Sequence, residues 1–315
     1  AEATRVLATT VGPYVRHGDP VVAACARAGT DYVDLTGEPE FVDRTYVRHH
    51  GAALASGARL VHACGFDSVP HDLGAQFTVE QLPAGVPLRV DAYVRAQGAV
   101  SGGTLDSALT AFSRLRANAR AAAARRRLEP HLAGRRVRGA APAPRRVEGI
   151  GWAVPLPTID PQIVLRSARA LDRYGPDFTY GHWAAVRRLP VAVGGAAGVL
   201  GLVAAAQLRP VRRLLLDRVV SPGNGPSEAR RARSWFAVRF VGVADDGAGT
   251  RVTTEVRGGD PGYEATATML AEAALCLARD PLPPVAGQTT TAVAMGPALR
   301  ARLQRAGIAF TRLDG

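Results

Sequence analysis

The sequence contains no lysine, so its 39 basic residues are all arginine; with 27 acidic residues they give a formal net charge of +12 over 315 residues. A bias of this kind follows genome composition, so the charge alone does not identify a partner. The arginines cluster at residues 125–146 and 209–218. Few aromatic residues are interleaved with them, and no DNA- or RNA-binding motif is present, so we expect no nucleic-acid partner. Phosphate-bearing cofactors, anionic lipids or solvent suit these stretches better.

Cysteine is also scarce. Cys25, Cys64 and Cys276 lie far apart in apolar segments. They have neither metal-ligand spacing nor the pattern of a disulfide framework, which indicates a reducing compartment and no bound metal. No signal peptide opens the chain. We therefore expect a cytoplasmic protein, with attachment to the inner face of the plasma membrane as an alternative.

Short apolar runs alternate with helical patterns over the first ninety or so residues, which is typical of a parallel sheet with crossover helices. The predicted strands are Arg5–Thr10, Tyr32–Leu35 and Arg59–Ala63. The predicted helices are Asp19–Ala28, with Asp19 as its N-cap, a second from about Pro39 to Ala55, and a third that follows Gly65–Leu73. This order predicts an α/β fold and, within it, the second half of a doubly wound, Rossmann-like sheet.

A glycine-rich phosphate loop, G-x-G-x-x-G after a strand, is not found. Nothing before Gly12 could hold it, the glycines at 194–198 lie in an apolar helix-like run, and Gly258 and Gly259 close a hairpin strand. We expect residues 1–87 to be the C-terminal half of a dinucleotide-binding domain whose first βαβ unit is missing here. These 315 residues alone should then bind NAD(P) poorly and be inactive.

The pattern changes at residue 88. A strand at Leu88–Arg95, a helix at Thr104–Leu128 and a hairpin of Trp235–Val243 with Thr250–Arg257 predict an α+β substrate or dimerisation domain over residues 88–262. The last predicted elements are a helix at Tyr263–Leu277, a helix at Gly296–Ala306 that Gly307 ends, and a strand at Ile308–Leu313. We expect this segment, 263–315, to return to the nucleotide-binding domain.

Residues 189–208 carry no charged side chain, and Arg187, Arg188 and Arg209 flank them. The run is long enough to span a membrane. Its many glycines and alanines, together with Pro190 and Gln207, make it only weakly hydrophobic. We therefore expect a buried helix or a hydrophobic lid, and a segment that contacts lipid or a membrane surface is the alternative.

Three clusters of chemically useful residues follow the predicted parallel strands, at the edge where such sheets bind ligands. In Gly12-Pro13-Tyr14, the turn lets a cofactor approach the backbone and the phenol offers a donor. The second cluster is residues 32–38. A structural role at the end of a strand is the simpler interpretation of its Asp34. The third, residues 65–74, is the most specific.

That third cluster places two carboxylates, a hydroxyl and an imidazole in one strand-to-helix turn. Its candidate functional residues are Gly65, Phe66, Asp67, Ser68, His71 and Asp72. Capping of the following helix by Asp67 or Ser68 would explain one polar side chain but not four. The polar side chains that capping does not explain predict a functional site.

Several strings resemble the saccharopine-dehydrogenase-like oxidoreductases and, more narrowly, the trans-acting enoyl reductases of polyketide-type lipid synthesis. They are VGPY, DYVDLTGEPEFV, HACGFDSVPHDLG, SGGTLDSAL, GYEATATMLAEAALCL and TTTAVAMGPALRARLQRAGIAF. The resemblance implies that Gly12, Pro13 and Tyr14 line the nicotinamide of NADP or NAD. It also implies that the turn from Gly65, through Phe66, Asp67 and Ser68, to Asp72 faces cofactor and substrate. His71 departs from the family pattern, which more often has a small hydroxyl residue there.

The activity implied by the resemblance is reduction of a C=C bond in a lipidic acyl chain. Binding of that chain to a carrier or synthase, and a homodimeric enzyme, are options that stay open. An acid must protonate the α-carbon, and the candidates are Tyr14, Asp67 and His71, in that order. Asp67 could serve if burial raised its pKa. Two alternatives stay open: an imine or amino-acid reductase on the same fold, and a non-catalytic scaffold peripheral to a membrane.

Overall fold

The computed structural model describes residues 1–98, 109–207 and 226–314. Its strands are β1 (Val6–Thr9), β2 (Asp31–Asp34), β3 (Arg59–Val61), β4 (Leu88–Gln97), β5 (Arg136–Gly139), β6 (Arg145–Val147), β7 (Gly151–Pro155), β8 (Asp177–Val186), β9 (Trp235–Ala244), β10 (Arg251–Gly258), β11 (Gly287–Thr289) and β12 (Ala309–Arg312). The first three lie within a residue or two of the strands that the sequence predicts, which confirms that part of the fold.

Its helices are α1 (Tyr14–His17), α2 (Asp19–Ala28), α3 (Pro39–Ser56), α4 (Val69–Glu80), α5 (Leu115–Leu128), α6 (Asp160–Ala170), α7 (Leu189–Gln207), α8 (Glu228–Arg231), α9 (Glu264–Arg279), α10 (Thr291–Ala294) and α11 (Gly296–Arg305). Residues 109–113 are helical as well, and Arg114 separates them from α5. The predicted helix Thr104–Leu128 is therefore interrupted at Arg114, and its residues 104–108 lie outside the described part.

The first sheet is wholly parallel, in the order β1-β2-β3-β11. Helix α2 begins after Gly18, carries Pro20 in its first turn and ends at Gly29, whose φ of 72° suits glycine. The prediction that Asp19 caps this helix was wrong, because Asp19 lies within the first turn and makes no cap bond. Its carboxylate instead accepts a hydrogen bond from Arg48 of α3 at 3.1 Å.

The second sheet has the order β12-β10-β9-β4-β8-β7-β6, and β5 pairs with β8 as well. Strands β9 and β10 form the predicted antiparallel hairpin, while β4 and β8 are parallel. The C-terminal residues serve both sheets, because β11 joins the first sheet beside β3 and β12 joins the second beside β10.

Helix α4 connects the two sheets and carries the candidate site at its N-terminus. It packs closely on the second sheet at Gly74, where an added Cβ would lie 2.4 Å from the ring of Phe240 and 2.9 Å from Val256. Its buried Leu73, Val69 and Val79 belong to the main core, which the inward faces of the second sheet complete. This packing holds the residues before Val69 at the junction of the sheets.

Helix α7 corrects the expectation of a buried helix at residues 189–208. The side chains of Leu189, Val191 and Val193 are 45%, 60% and 59% exposed. The helix is held near its end, where Ala206 is buried and the Gln207 amide donates a hydrogen bond of 2.6 Å to the carbonyl oxygen of Phe112. Leu208 lies outside the described residues. Within them, no helix is both long enough and apolar enough to cross a membrane.

Candidate active site

The turn between β3 and α4 has an unusual backbone conformation. Ala63 and Ser68, with φ of 59° and 103°, are the non-glycine residues there that have positive φ. Backbone of this kind costs on the order of 1–3 kcal/mol per residue and is concentrated at functional sites. The strain flanks Asp67, so it motivates a functional interpretation of that residue.

Neither polar side chain at this turn caps α4, although capping was the simplest structural explanation for them. Ser68 occupies the N-cap position without a side-chain cap bond. Its hydroxyl, which is fully buried, donates instead to Oδ1 of Asp160 at 3.3 Å. The hydroxyl of Ser68 is thus used in a long-range contact with α6 rather than in capping α4.

Asp67 is partly exposed, and its carboxylate forms no hydrogen bond within the described residues. It lies against the backbone of the loop after β2, since a Cβ added at Gly37 would be 3.0 Å from Oδ2 of Asp67. Burial and the neighbouring Asp160 carboxylate raise the pKa of Asp67 to about 6, while His71 opposes them. A carboxyl group in this state can carry a proton near neutral pH.

Asp160, at the start of α6, anchors a cluster that the sequence analysis missed. Nδ1 of His71 is 3.0 Å from its Oδ1, and Nε2 of His182 is 3.3 Å from its Oδ2. The hydroxyls of Ser68 and Thr158 also donate to it. The five side chains come from three segments of the chain, residues 68–71, residues 158–160 and β8, and Asp160 is 2% exposed.

These contacts determine the charge of the cluster. Burial alone would raise the pKa of Asp160. The neighbouring His71, and then His182, nevertheless hold this pKa well below its ordinary value. Burial lowers the pKa of His182. The phenol of Tyr180 lies 3.3 Å from Nδ1 of His182 and is itself buried. Asp160 is therefore a stable buried anion, surrounded by donors.

Three side chains of this cluster are of the types that bind metal ions. His71, Asp160 and His182 each offer one ligand atom, and these atoms lie within 4.8 Å of one another. However, the Asp160 carboxylate already accepts hydrogen bonds from the hydroxyls of Ser68 and Thr158, so an ion bound by the two imidazoles would have to compete with these hydroxyls for its oxygens. The arrangement suits a network that holds protons better than a metal centre.

Phe66 and Gly65 shape the turn rather than carry chemistry. The Phe66 amide donates to the hydroxyl of Thr266 at 3.0 Å, and its ring packs on that of Phe236 with centroids 4.9 Å apart. A Cβ at Gly65 would lie 2.8 Å from the side chain of Leu35. Glycine at residue 65 thus lets the end of β3 and the loop after β2 approach without displacing the Leu35 side chain.

Asp72 belongs to a separate, structural network. It is fully buried, and its carboxylate accepts hydrogen bonds from the hydroxyls of Ser167 and Thr291 and from the amide of Ala292. Burial raises the pKa of Asp72, and these bonds oppose the rise. Asp72 thus joins α4 to α6 and α10.

Tyr14 lies at the edge formed by the carboxyl ends of β1 and β2. Its phenol donates to the carbonyl oxygen of Thr9 at 2.9 Å and accepts from the amide of Leu35 at 3.2 Å. Burial, followed by Asp34, raises the pKa of Tyr14 above its ordinary value. The phenol is used in holding the two strand ends together, while the preceding Val11 and Gly12 are exposed.

Asp34 is the structural residue that the sequence analysis favoured. Its Oδ1 accepts from the amides of Thr36 and Ala63 at 3.0 and 2.9 Å. Its Oδ2 accepts from the Tyr32 hydroxyl at 3.0 Å and lies 2.7 Å from Nδ1 of His62. The carboxylate, which is fully buried, ties the end of β2 to the segment after β3.

A cavity of about 360 Å³ opens beside α1, next to the end of α7. Its lining is rich in cations and hydroxyls: Arg16, Thr110, Ser113, Arg114 and Gln207. The guanidinium of Arg114 is held by two hydrogen bonds to Glu40, at 2.6 and 2.7 Å. Such a lining suits an anionic group of a ligand, phosphate above all.

Gly37 provides a test of how closely Asp67 must be positioned. In Gly37→Ala, the added methyl group would displace the Asp67 carboxylate by a few tenths of an ångström. We expect the turnover number to fall roughly tenfold through misplacement, with less than about 1 kcal/mol lost from the free energy of unfolding. Steady-state kinetics and urea denaturation measure the two quantities.

The matched control is Gly51→Ala, in the middle of α3, where an added Cβ meets nothing within 4 Å. This change should leave turnover unchanged and stabilise the helix by about 0.5–1 kcal/mol. Equal turnover in both variants would show that contact with Gly37 does not position Asp67.

Several curated proteins are similar to this chain. A Mycobacterium tuberculosis protein, provisionally named a trans-acting enoyl reductase, is 39% identical over 99% of this chain and 81% of its own length. Trans-acting enoyl reductases of Mycobacterium leprae and Mycobacterium tuberculosis are 35% and 36% identical, over 98% and 100% of this chain and 81% and 82% of theirs. No family model matches the chain.

Similar solved structures are more distant. The apo saccharopine dehydrogenase of Saccharomyces cerevisiae has a TM-score of 0.47 at 10% identity, over 99% of this chain and 85% of that one. An engineered D-amino acid dehydrogenase bound to NADP⁺ has a TM-score of 0.40 at 13% identity, over 95% and 79%.

Proposed function

The chain belongs to the family of trans-acting enoyl reductases and is an NAD(P)H-dependent oxidoreductase, and from this premise we propose that it reduces the C=C bond of an α,β-unsaturated, lipidic acyl chain carried by a synthase. The observation that carries the proposal is Asp67, a partly exposed carboxyl group with a pKa of about 6 at the edge of the parallel sheet. Reduction of an enoyl group needs one acid at the α-carbon, and Asp67 is suited to be that acid.

The residues around the edge fit a nicotinamide cofactor. Carboxyl ends of parallel strands are where such sheets bind dinucleotides, and the backbone at Val11 and Gly12 is exposed there. We assign Gly12 and Pro13, with Gly65 to Ser68 across the edge, to the nicotinamide end. Bound NAD(P)H would supply the hydride for the β-carbon. We also propose that the cofactor is NADPH rather than NADH.

Among the three candidate acids, the geometry favours Asp67. The phenol of Tyr14 is occupied by backbone on both sides, and its pKa is raised, so Tyr14 positions the turn beside the cofactor. His71 is 1% exposed and faces Asp160, so it acts behind Asp67 rather than on the substrate. Asp67 would hold its proton towards the α-carbon and release it as the enolate forms.

A carrier-bound substrate also accounts for the cavity beside α1. The arm that carries an acyl chain on a synthase is joined to its carrier through a phosphate, and the arginines and hydroxyls of the cavity suit that group. An imine or amino-acid substrate would instead require convergent charged groups next to the acid. The uncharged, exposed α7 beside the cavity favours the lipidic substrate.

The proposal is tested by following NADPH oxidation by the full-length protein with enoyl thioesters, free and carrier-bound. We expect oxidation with the enoyl thioesters, faster with the carrier-bound ones, and none with the saturated thioesters. Oxidation with imines alone would identify an imine reductase. Absence of oxidation, with no NADPH binding by calorimetry, would support the non-catalytic scaffold.

We also propose that α7 contacts an anionic membrane surface peripherally. Burial of its exposed valines in the membrane surface would favour binding by about 25 cal/mol per Å². Arg187 and Arg188, which directly precede α7, would each add on the order of 1 kcal/mol at the lipid headgroups. A homodimer that buried α7 would be the competing explanation for its apolar surface.

Vesicle co-sedimentation tests this contact. We expect weak binding to anionic vesicles that decreases with salt, and none to neutral vesicles. The double change Val191→Glu with Val193→Glu should weaken binding at least tenfold. The control is Leu128→Glu, which adds a charge at an exposed apolar residue away from α7, 58% exposed at the end of α5, and should weaken binding much less. Equal loss in both would indicate a general charge effect, and dimers by light scattering without vesicle binding would favour the homodimer.

A further inference from the structure

A second cavity, of about 180 Å³, lies on the face of the second sheet that points away from α4. Phe236 and Phe240 of β9 belong to the core on the α4 side. The residues that alternate with them, among them Ala237 and Arg239, therefore point to the other face, where they line this cavity. The sheet-face cavity is thus separate from the candidate active site. Its volume admits one small group but not a dinucleotide.

Ala237 forms the floor of the sheet-face cavity, and arginines stand on both sides of it. In the register of the sheet, Ala237 pairs with Arg95 of β4 and with Arg257 of β10. Neighbouring strands are about 4.8 Å apart, so these two arginines flank the small side chain across roughly 10 Å. Two residues along β9 in one direction is Arg239, and two in the other is Trp235. The result is a concave surface with three arginines and one aromatic ring around it.

Two of these arginines are held in place without being neutralised. Arg95 donates one hydrogen bond, 2.6 Å long, to the carbonyl oxygen of Ile150. Arg257 lies over the ring of Trp235, with its guanidinium carbon 5.9 Å from the ring centroid. Among the described residues, neither Arg95 nor Arg257 forms an ion pair. Because a guanidinium has five N–H donors, most of those on Arg95 and Arg257 remain available to a ligand.

The sheet-face cavity is therefore positively charged. Its one acidic lining residue is Glu255, whose Oε2 is 3.3 Å from Nη2 of Arg239, so three arginines face a single carboxylate. Burial lowers the pKa of Arg95, and the positive charge of Arg239 lowers it further. By contrast Arg145, which also contacts this sheet, is neutralised directly by Asp91 at 2.7 Å. Arginines that share too few carboxylates are suited to bind an anion with several oxygens.

The start of α7 is next to the sheet-face cavity. Ile150, which lines the cavity, is followed by Gly151, and a Cβ added at Gly151 would lie 3.3 Å from Cα of Arg187. Leu189, two residues further on, begins α7. The exposed apolar part of α7 and the arginines of the cavity are thus neighbours. Apolar side chains beside arginines and a tryptophan are the combination found where proteins meet a membrane interface.

We propose that the sheet-face cavity binds the phosphate monoester of an anionic lipid, such as phosphatidic acid, and so holds the protein on the membrane surface that α7 contacts. A terminal phosphate offers three oxygens to the three arginines, whereas a carboxylate offers two. The volume suits a terminal phosphate better than a phosphodiester with a headgroup beyond it. The lipid as the source of the phosphate rests on the proposed membrane contact of α7, while the site itself rests on the arginines.

The experiment is co-sedimentation of the full-length protein with vesicles that contain phosphatidic acid or phosphatidylserine, matched in zeta potential. We expect roughly tenfold tighter binding to phosphatidic acid, and loss of this preference in Arg257→Gln. The control, Arg251→Gln, removes the same charge from the same strand roughly 20 Å away, beyond the Debye length of about 8–10 Å, and should keep the preference. Equal binding to both vesicles, or equal effects of the two substitutions, would overturn the proposal.

Calorimetry with glycerol 3-phosphate identifies the source of the phosphate. Binding that depends on Arg257, without any preference among vesicles, would overturn the lipid assignment in favour of a soluble phosphate ester. A preference for phosphatidic acid that survives Val191→Glu with Val193→Glu would support the headgroup site and contradict the contact of α7. If Arg257→Gln does not fold, as a thermal melt would show, Arg95→Gln takes its place. None of these measurements depends on reduction of an enoyl thioester, so failure of that activity leaves them decisive.

Discussion

Replacement of Asp67 by asparagine should lower the turnover number for enoyl reduction by about 10²–10⁴-fold, the usual contribution of a general acid, while cofactor binding changes little. The amide is nearly isosteric but has no proton to give at neutral pH. In the wild type, turnover should be highest below pH 6 and fall about tenfold per pH unit above it, because the pKa of Asp67 is about 6. Steady-state assays between pH 5 and 8 would show this limb in the wild type and its absence in Asp67→Asn.

The same substitution should raise stability at alkaline pH. In the unfolded chain the carboxyl group ionises near pH 4, whereas in the folded protein it resists ionisation until about pH 6. The folded state therefore binds more protons between these values, and its free energy of unfolding falls as pH rises through that window. Asp67→Asn should remove this fall, gaining on the order of 1–3 kcal/mol at pH 8 and little at pH 4.

Asp245→Asn is the matched control, since Asp245 is an exposed carboxylate in the β9–β10 turn. It should change neither turnover nor the pH dependence of stability. If Asp67→Asn retained more than half of wild-type turnover at pH 7, another group would be the acid. His71 would then be the first to examine.

Asp34→Ala should cause the largest loss of stability, about 3–5 kcal/mol in the free energy of unfolding. The change removes an acceptor that four groups share, leaving the amides of Thr36 and Ala63, the hydroxyl of Tyr32 and the ring of His62 without it in the core. The expected measurement is a shift of the urea midpoint with an unchanged slope, which identifies a change in stability alone.

Asp34→Asn separates the loss of acceptors from the loss of shape. Its oxygen can still accept from the two backbone amides, and its amide group can donate to the Tyr32 hydroxyl, so we expect a loss of about 1–2 kcal/mol. A loss below about 1 kcal/mol in Asp34→Ala would contradict the role assigned to this residue. Both variants, where folded, should keep the pH profile set by Asp67.

Much of the fold could be predicted from the sequence because its local signals agree with its tertiary structure. Apolar runs bounded by Gly29 and Pro39 define the parallel strands and the helices between them. Turn residues around Asp246 define the β9–β10 hairpin. The exposure of α7 could not be predicted in this way. An uncharged run indicates that a segment tends to avoid water, but it does not indicate which surface, if any, of the same chain covers that segment.

The candidate site could be predicted only where its residues are consecutive. Asp67 and His71 were found because they crowd into one turn. Asp160 was missed because Asp followed by Pro161 is an ordinary way to start a helix. His182 was missed because it lies in a strand, although the signal was present: it shares the inward-facing register of β8 with Phe178 and Tyr180, where a polar side chain is unusual.

The division of the C-terminal residues between the two sheets has a consequence for how the protein is made. While the chain is emerging from a ribosome, the first sheet lacks β11 and the second lacks β12 until the last of these residues have been synthesised. Neither sheet can act as an early, finished folding unit, although most of the strands are made long before. The partial chain would expose strand edges throughout translation, which makes it a substrate for chaperones. Both halves should then become resistant to protease at the same late step.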